Sequence, residues 1–241
     1  GITHGGFIAA FVDAGAGNDT VTLSATAHIG HANTGGTLTI STRAGDDTIT
    51  VTTGTIASQT IVQAVQITAG TGADTVTLTA GATNGAGATS FDMITIADGD
   101  SLVASRDKIT NFTLGGAIAS DFADVLDFDS AAVGTLSTTV DFGVIMSHSI
   151  ANGFASFDDV ASHTTALIIN SANLADVLGY IEQNGQATGS TAFLYDSTGS
   201  GAADATLVYH NDTLNSLVEL VGVTTATGVG TTATTALLIG I

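Results

Sequence analysis

The sequence predicts a mainly β fold, made of short strands that are joined by tight glycine–aspartate turns. Three observations support this prediction. A strand-like motif occurs three times, threonine alternates with aliphatic residues inside each copy, and the chain contains 30 glycines but no proline or tryptophan. Alternation with a period of two gives each strand one apolar and one hydroxyl-bearing face. Because a lone strand of this kind cannot bury its apolar face, we expect the strands to stack.

The motif has the shared core Gly-x-Asp-Thr-(Val/Ile)-Thr-(Leu/Val) and is anchored on Asp19, Asp47 and Asp74, which lie 28 and 27 residues apart. Another alternating apolar run precedes each turn, so the repeating unit is strand, turn, strand and loop. Degenerate copies follow at residues 92–96, 107–112 and 124–128. Residues 1–130 are therefore predicted to form a β-repeat region, either a β-solenoid or β-roll-like stack or a glycine-turned β-sandwich.

Residues 131–241 are expected to form a β-rich lobe with one or two short helices. Four apolar residues recur at the spacing of one helix face: Leu174, Val177, Leu178 and Ile181. They predict a helix over residues 172–184, with Ser171 as its cap and Gly185 at its end. Residues 156–160 resemble a second, capped helical turn. Strands are predicted over three further segments, residues 191–195, 205–210 and 216–223, and the first two flank a loop at residues 196–204.

The charge balance restricts the partners of the chain. Three basic residues oppose 22 acidic ones, which gives a formal net charge of −19. Nucleic acid and anionic membrane surfaces carry the same sign, so neither is an expected partner. No apolar run approaches the roughly 18 residues that a membrane-spanning helix requires, so no transmembrane segment is predicted. All the acids except Glu182 and Glu219 are aspartates, and aspartate suits tight turns and cation-binding loops.

Calcium is the cation that this pattern favours. Calcium takes six to eight oxygen ligands at about 2.3–2.6 Å, in a more flexible geometry than magnesium accepts. Glycine at alternate positions of a turn tolerates the dihedral angles that direct carbonyl groups inward. One aspartate at the end of the turn then supplies negative charge. The alternative is that these turns use glycine and aspartate only for their shape.

The repeats resemble a known family motif. Residues 14–22 (Ala-Gly-Ala-Gly-Asn-Asp-Thr-Val-Thr) and residues 69–77 are similar to the repeats-in-toxin (RTX) nonapeptide Gly-Gly-x-Gly-x-Asp-x-(apolar)-x, whereas the copy around Asp47 carries Thr42 and Arg43 in place of glycines. The resemblance implies calcium ligands at the aspartate side chains and turn carbonyls of Asp19, Asp47, Asp74, Gly15, Gly17, Gly45, Gly70 and Gly72. Further candidate calcium ligands are Asp46, Asp92, Asp107, Asp124, Asp196 and Asp204. Because RTX β-rolls repeat the nonapeptide back to back, the spacing of 27–28 residues predicts that the turns do not stack continuously.

Later segments extend the resemblance. Residues 107–112 and 124–128 are similar to the segment that follows RTX repeats, and residues 193–210 and 217–223 resemble the terminal module of bacterial surface-layer proteins. This resemblance implies type I secretion through an uncleaved C-terminal signal, and hence an extracellular location at the bacterial cell surface.

Enzyme signatures are incomplete in this chain. Gly99-Asp100-Ser101-Leu102 matches the motif of a family of serine esterases, but those enzymes also need a downstream Asp-x-x-His, which the sequence lacks. His28 and His31 have a spacing that would allow a shared zinc ion, although exposed loop residues are the more ordinary interpretation. We therefore expect no enzymatic activity.

The sequence thus favours a secreted structural protein that binds calcium and self-assembles, as a surface-layer lattice or as an extracellular filament. The expected partner is a second copy of the chain, and a cell-surface polysaccharide is a further candidate. The alternatives are the C-terminal calcium-folding export module of a larger secreted enzyme, and an adhesin module that binds a glycan.

Overall fold

The computed structural model describes residues 10–25, 38–53, 64–78, 91–115, 123–128, 130, 132–231 and 237–240. His28 and His31 lie outside these residues. In chain order the elements are β1 (Ala10–Asp13), β2 (Thr20–Ala25), β3 (Leu38–Ser41), β4 (Thr48–Thr53), β5 (Ala64–Thr68), β6 (Thr75–Leu78), β7 (Phe91–Ile96), β8 (Asp107–Thr110), β9 (Val125–Phe128), β10 (Ser147–Ala151), β11 (Phe154–Asp158), α1 (Leu174–Asn184), β12 (Gly189–Tyr195), β13 (Ala205–Asn211), β14 (Ser216–Val221), β15 (Gly228–Thr231) and β16 (Leu237–Gly240). The prediction of a mainly β protein is confirmed.

The first nine strands alternate between two sheets. In the first sheet, β1, β3, β5, β7 and β9 pair in parallel in that order, and in the second sheet β2, β4, β6 and β8 do the same. One layer consists of a strand of the first sheet, the turn that follows it and the next strand of the second sheet. Each layer lies in register on the next, so each copy of the sequence repeat contributes one layer.

The core lies between the two sheets. Ile40 and Ile67 of the first sheet and Ile49, Val51 and Ile109 of the second are fully buried there. Their neighbours along each strand point outward, because side chains alternate across a strand. Burying one such aliphatic side chain stabilises the fold by about 1.5–3 kcal/mol, so stacked layers achieve what a lone strand cannot.

The C-terminal residues extend both sheets. Strand β14 pairs in parallel with β8, while β16 pairs with β9, so residues from both sides of position 130 share each sheet. A second apolar cluster forms where α1 packs on the outer face of the C-terminal strands. Tyr180 of α1 meets Phe157 edge to face, and Phe157 meets Phe193 in the same way.

The local predictions for the C-terminal region are confirmed, with two corrections. The three predicted strands match β12, β13 and β14, and the predicted helix is α1, which is preceded by Asn173 rather than Ser171 as its cap residue. The helical turn at residues 156–160 is wrong. Phe157 and Ala155 are buried on one face of β11, which pairs with β10 around a turn at Asn152 and Gly153. Both turn residues have positive φ, as a tight hairpin requires.

Candidate functional site

The three glycine–aspartate turns stack directly on one another. Parallel bridges join Ala16 to Ala44 and Ala44 to Thr71, and the backbone N–H of Gly17 donates to the carbonyl oxygen of Ala44 at 2.7 Å. The expectation that turns 27–28 residues apart do not stack is therefore wrong. Each turn lies between a strand of the first sheet and a strand of the second, and each of these strands pairs in parallel with its equivalent in the next layer.

Four aspartates form a column along this stack. The backbone N–H of each residue donates to Oδ1 of the next, at 2.7 Å from Asp19 to Asp47, 2.7 Å from Asp47 to Asp74 and 3.0 Å from Asp74 to Asp107. Asp107, from a degenerate copy of the motif, thus joins the three anchors. The aspartate column ends at Ser101, whose Oγ accepts the N–H of Asp107 at 2.8 Å.

One oxygen of each anchoring carboxylate lacks a partner among the described residues. Oδ2 of Asp19, Asp47 and Asp74 is buried and accepts no hydrogen bond there. Leaving a buried polar atom unsatisfied costs about 1–3 kcal/mol, and more when the group is charged. A carboxylate column of this kind therefore favours either bound protons or a bound cation.

Burial changes the protonation of the column. Desolvation raises the pKa of Asp74 to about 6, although the N–H of Asp47 opposes the shift and nearby carboxylates add to it. Desolvation likewise raises the pKa of Asp107 to about 8, and the neighbouring charges of Asp74 and Asp100 contribute. Hydrogen-bond donors from the backbone only partly offset the loss of water around these groups. Near neutral pH, part of the column is thus poised between its protonated and its ionised state.

The glycines of the turns allow the layers to approach closely. Gly45 and Gly72 have φ values of 137° and 148°, and a Cβ atom on either would overlap the carbonyl oxygen of the preceding layer's glycine, Gly17 or Gly45. Gly15 and Gly70 also have positive φ, and Arg43 adopts the same conformation at the equivalent position. The side chain of Arg43 forms an ion pair with Asp13.

A second, shorter column lies one residue before the first. Here the hydrogen bonds run in the opposite direction: the N–H of Asp46 donates to Oδ1 of Asn18, and the N–H of Ala73 donates to Oδ1 of Asp46, both at 3.0 Å. These side chains are exposed, and asparagine and aspartate serve equally as acceptors. Asn18 carries no special signal in the sequence, so sequence reasoning missed it.

Two other predicted ligands lie in the opposite sheet. The N–H of Asp92 donates to Oδ1 of Asp124 at 2.8 Å, and Oδ2 of Asp124 accepts the N–H of Thr113 at 2.7 Å. Oδ1 of Asp92 is buried without a partner among the described residues. Desolvation raises the pKa of Asp92 to about 7 and that of Asp124 to about 6. This pair is separate from the aspartate column.

The carboxylates of the later loop have partners within the loop itself. Asp196 accepts the N–H groups of Ser200 at 3.0 Å and Gly201 at 2.7 Å, while Asp204 accepts that of Ser197 at 2.8 Å. Burial by itself would raise the pKa of Asp196, but the backbone donors outweigh burial and lower it. The N–H of Ser197 lowers the pKa of Asp204. The two carboxylates thus shape the turn between β12 and β13.

The serine of the esterase-like motif has a structural role. Ser101 is fully buried, and its hydroxyl donates to the carbonyl oxygen of Leu217 at 2.7 Å while accepting the N–H of Asp107. Ser101 thereby ties the end of the aspartate column to β14. Sequence reasoning missed this role because the contact with Leu217 spans 116 residues.

The donor set of the aspartate column suits a hard cation. It offers carboxylate oxygens, no nitrogen or sulfur ligands, and turns rich in backbone carbonyl groups. Within the described ranges, no three histidine, cysteine, aspartate or glutamate side chains converge on one point. A cation would therefore depend on one or two carboxylates together with backbone oxygens, as in a turn-based site.

Comparisons with known proteins add no assignment to this geometry. No helix among the described residues has the length and apolar character to cross a membrane. No family model, curated protein or solved structure matches the chain.

Proposed function

We propose that this chain is a secreted, RTX-like structural protein whose stacked turns bind calcium, and that it self-assembles at the bacterial cell surface. The observation that carries the proposal is the aspartate column, in which Asp19, Asp47 and Asp74 each bury one carboxylate oxygen without a partner among the described residues. We infer that the alternating layers form a short β-solenoid and that calcium is bound along the edge where the column runs.

Calcium binding would act as a folding switch. Without a cation, the column places several carboxylates in succession in a chain with a net charge of −19, so repulsion and desolvation oppose folding. Calcium bound to Asp19, Asp47 and Asp74 would neutralise these charges and complete their coordination. A site whose dissociation constant is tenfold below the free calcium concentration would add about 1.4 kcal/mol to stability. Several such sites together are comparable to the stability of a whole domain.

Open strand edges support self-assembly. Among the described strands, β1 and β2 are the last members of their sheets at the same end of the stack, and β10 is the last strand at the opposite edge of the second sheet. An unpaired edge presents backbone N–H and C=O groups that another strand can pair with. Bound calcium would also reduce the charge repulsion between copies.

A calcium titration followed by circular dichroism and electron microscopy tests the proposal. We expect ordering of the β structure and regular lattices or filaments at millimolar calcium, and a much weaker response to the same concentration of magnesium. Unchanged spectra together with persistent monomers at millimolar calcium would contradict both the switch and the assembly. If calcium orders the β structure but no assembly forms, calcium binding would be upheld and the proposed lattice or filament would be contradicted.

A further inference from the structure

The outward face of the second sheet carries a regular array of threonines. The array consists of eight residues on β2, β4, β6 and β8: Thr20, Thr22, Thr48, Thr50, Thr52, Thr75, Thr77 and Thr110. Strand pairing aligns them in rows, with Thr20 beside Thr48 and Thr48 beside Thr75 in one row. A second row runs from Thr22 through Thr50 and Thr77 to Thr110. The two rows therefore form a two-dimensional lattice of methyl and hydroxyl groups.

The spacing of this threonine array is fixed by the backbone. Neighbouring strands lie about 4.8 Å apart, and alternate residues on one strand lie roughly 6.6–6.8 Å apart. The inward neighbours Ile49, Val51 and Val76 are buried in the core, which holds the register of each strand. Threonine is also stiff at χ1, since its Cβ is branched. A rigid array loses little conformational entropy when it binds a surface.

Strand formation alone does not explain the threonine array. The outward positions of the first sheet, in the same layers, align Phe11, Thr39, Gln66 and Met93 in one row. That row is chemically mixed, and the row beside it, formed by Asp13, Ser41, Thr68 and Thr95, combines an acid and a serine with two threonines, yet both rows belong to an equally regular stack. The general preference of strands for β-branched residues applies to both sheets. The uniformity of the second sheet therefore calls for a cause other than folding.

The chemistry of the threonine array limits the classes of ligand that it can bind. The outward positions of β2, β4, β6 and β8 hold threonine except for Ser24 and Lys108, so the face carries no carboxylate and no aromatic ring. It therefore lacks both the charges that would bind a cationic partner and the rings on which sugars stack. What it offers is closely spaced hydroxyl and methyl groups that repeat in two directions.

We propose that the threonine array binds the surface of ice. Hexagonal ice presents water oxygens in rows whose repeat is close to the spacing between neighbouring strands. Hydroxyl groups held at that spacing can hold a layer of water in the positions that the crystal requires, while the methyl groups between them exclude disordered water. The array needs only the folded second sheet, so this proposal is independent of self-assembly.

Ice growth in the presence of the full chain tests the proposal. The protein is frozen slowly from a calcium-containing solution, and its concentration is measured in the ice and in the remaining liquid. We expect the chain to be incorporated into the ice and to shape the growing crystal. Thr50→Tyr, at the centre of the array, should lower incorporation to the level of an inert protein. Thr39→Tyr makes the same change on the first sheet, in the same layer, and should leave incorporation unchanged.

A second variant provides a replacement if the first fails to fold, and a crystalline polysaccharide surface tests an alternative ligand. Thr22→Tyr lies on the terminal strand β2 and tests the array if Thr50→Tyr fails to give the circular dichroism spectrum of the unmodified chain. Exclusion of the unmodified chain from ice would overturn the proposal, and so would equal incorporation of the Thr50→Tyr and Thr39→Tyr variants. Retention on crystalline cellulose or chitin that Thr50→Tyr abolishes, without incorporation into ice, would also overturn it, in favour of a polysaccharide. Ice binding by a chain that shows no calcium response would uphold this proposal and contradict the proposed function.

Discussion

The backbone N–H of Asp47 donates to Oδ1 of Asp74 at 2.7 Å, although the two residues lie 27 positions apart in the chain. The same bond links Asp19 to Asp47 across 28 positions. The repeat length is therefore the separation along the chain between equivalent residues of adjacent layers, and the aspartate column is its direct consequence. In Asp47 and Asp74, Oδ1 serves the layer contact, which leaves Oδ2 for a proton or a cation.

Replacing the three anchors with asparagine should separate the layer contact from calcium binding. In the Asp19→Asn, Asp47→Asn, Asp74→Asn triple variant, Oδ1 of residues 47 and 74 can still accept the N–H of the neighbouring layer, as Asn18 does for Asp46. Without calcium we expect the triple variant to be more stable than the unmodified chain, because it removes three carboxylates that each bury one oxygen without a partner among the described residues. With calcium it should lose the gain of about 1.4 kcal/mol per site that a tenfold excess over the dissociation constant provides.

Urea unfolding with calcium and with a chelator measures both effects. The control is Asp141→Asn, which changes an exposed acid that belongs to neither column and should retain the calcium response. Equal calcium responses of the triple variant and the unmodified chain would exclude the three aspartates as ligands.

Alanine in place of Gly72 should strongly destabilise the stack of turns. Its Cβ would overlap the carbonyl oxygen of Gly45, and the φ of 148° is unfavourable for any residue with a side chain. We expect a loss of several kcal/mol, which is the range of severe core overpacking. Gly199→Ala is the matched control, because Gly199 also has positive φ but has open space around its Cβ position. Its cost should be about 1–2 kcal/mol, and similar losses for the two variants would contradict the close approach of the layers.

Stability in the absence of calcium should fall as the pH rises from about 4 to 8. Burial raises the pKa of Asp74 and Asp124 to about 6, of Asp92 to about 7 and of Asp107 to about 8. In the unfolded chain these groups ionise near pH 3.9. The folded state thus binds more protons in this range, and its stability is highest below the unfolded pKa values and declines as the pH passes the folded ones.

The contribution of one carboxylate to this decline in stability can be measured at Asp107, whose pKa is the highest of the four carboxylates. The Asp107→Asn variant should flatten the stability curve between pH 6 and 8, where exposed carboxylates are already ionised. Thermal unfolding across this range in a chelator measures the slope. A constant stability of the unmodified chain from pH 5 to 8 would show that these carboxylates are solvated in the folded protein.

Removing the hydroxyl of Ser101 should destabilise the end of the aspartate column. The N–H of Asp107 and the carbonyl oxygen of Leu217 would both lose the partner that Ser101 provides. One buried group left unsatisfied costs about 1–3 kcal/mol, so Ser101→Ala should lower the free energy of unfolding by at least that amount. The exposed Ser149 provides the control Ser149→Ala, for which denaturant unfolding should show almost no change. Equal stabilities of the two variants would show that the Ser101 hydroxyl does not stabilise the aspartate column.

The sequence by itself determined the strands, the helix and the turn chemistry. Alternation of threonine with aliphatic residues specifies which side of each strand is buried, as at Ile49 and Thr50, because the period of two is a local property of the chain. The spacing of Leu174, Val177 and Ile181 specifies α1 for the same reason. Asp19, Asp47 and Asp74 could be identified as equivalent because the same residues surround each of them.

Only the tertiary structure decided which of these residues meet. Asp107 joins the aspartate column and Asp92 lies in the opposite sheet, although both follow the same degenerate pattern in the sequence. Ser101 reaches Leu217, and Arg106 forms a partly buried ion pair with Glu219 at 2.7 Å across 113 positions. These contacts depend on how many residues make one layer and on which strand pairs with β8. Both are fixed by packing between distant segments, so they cannot be predicted from the local periodicity of the sequence.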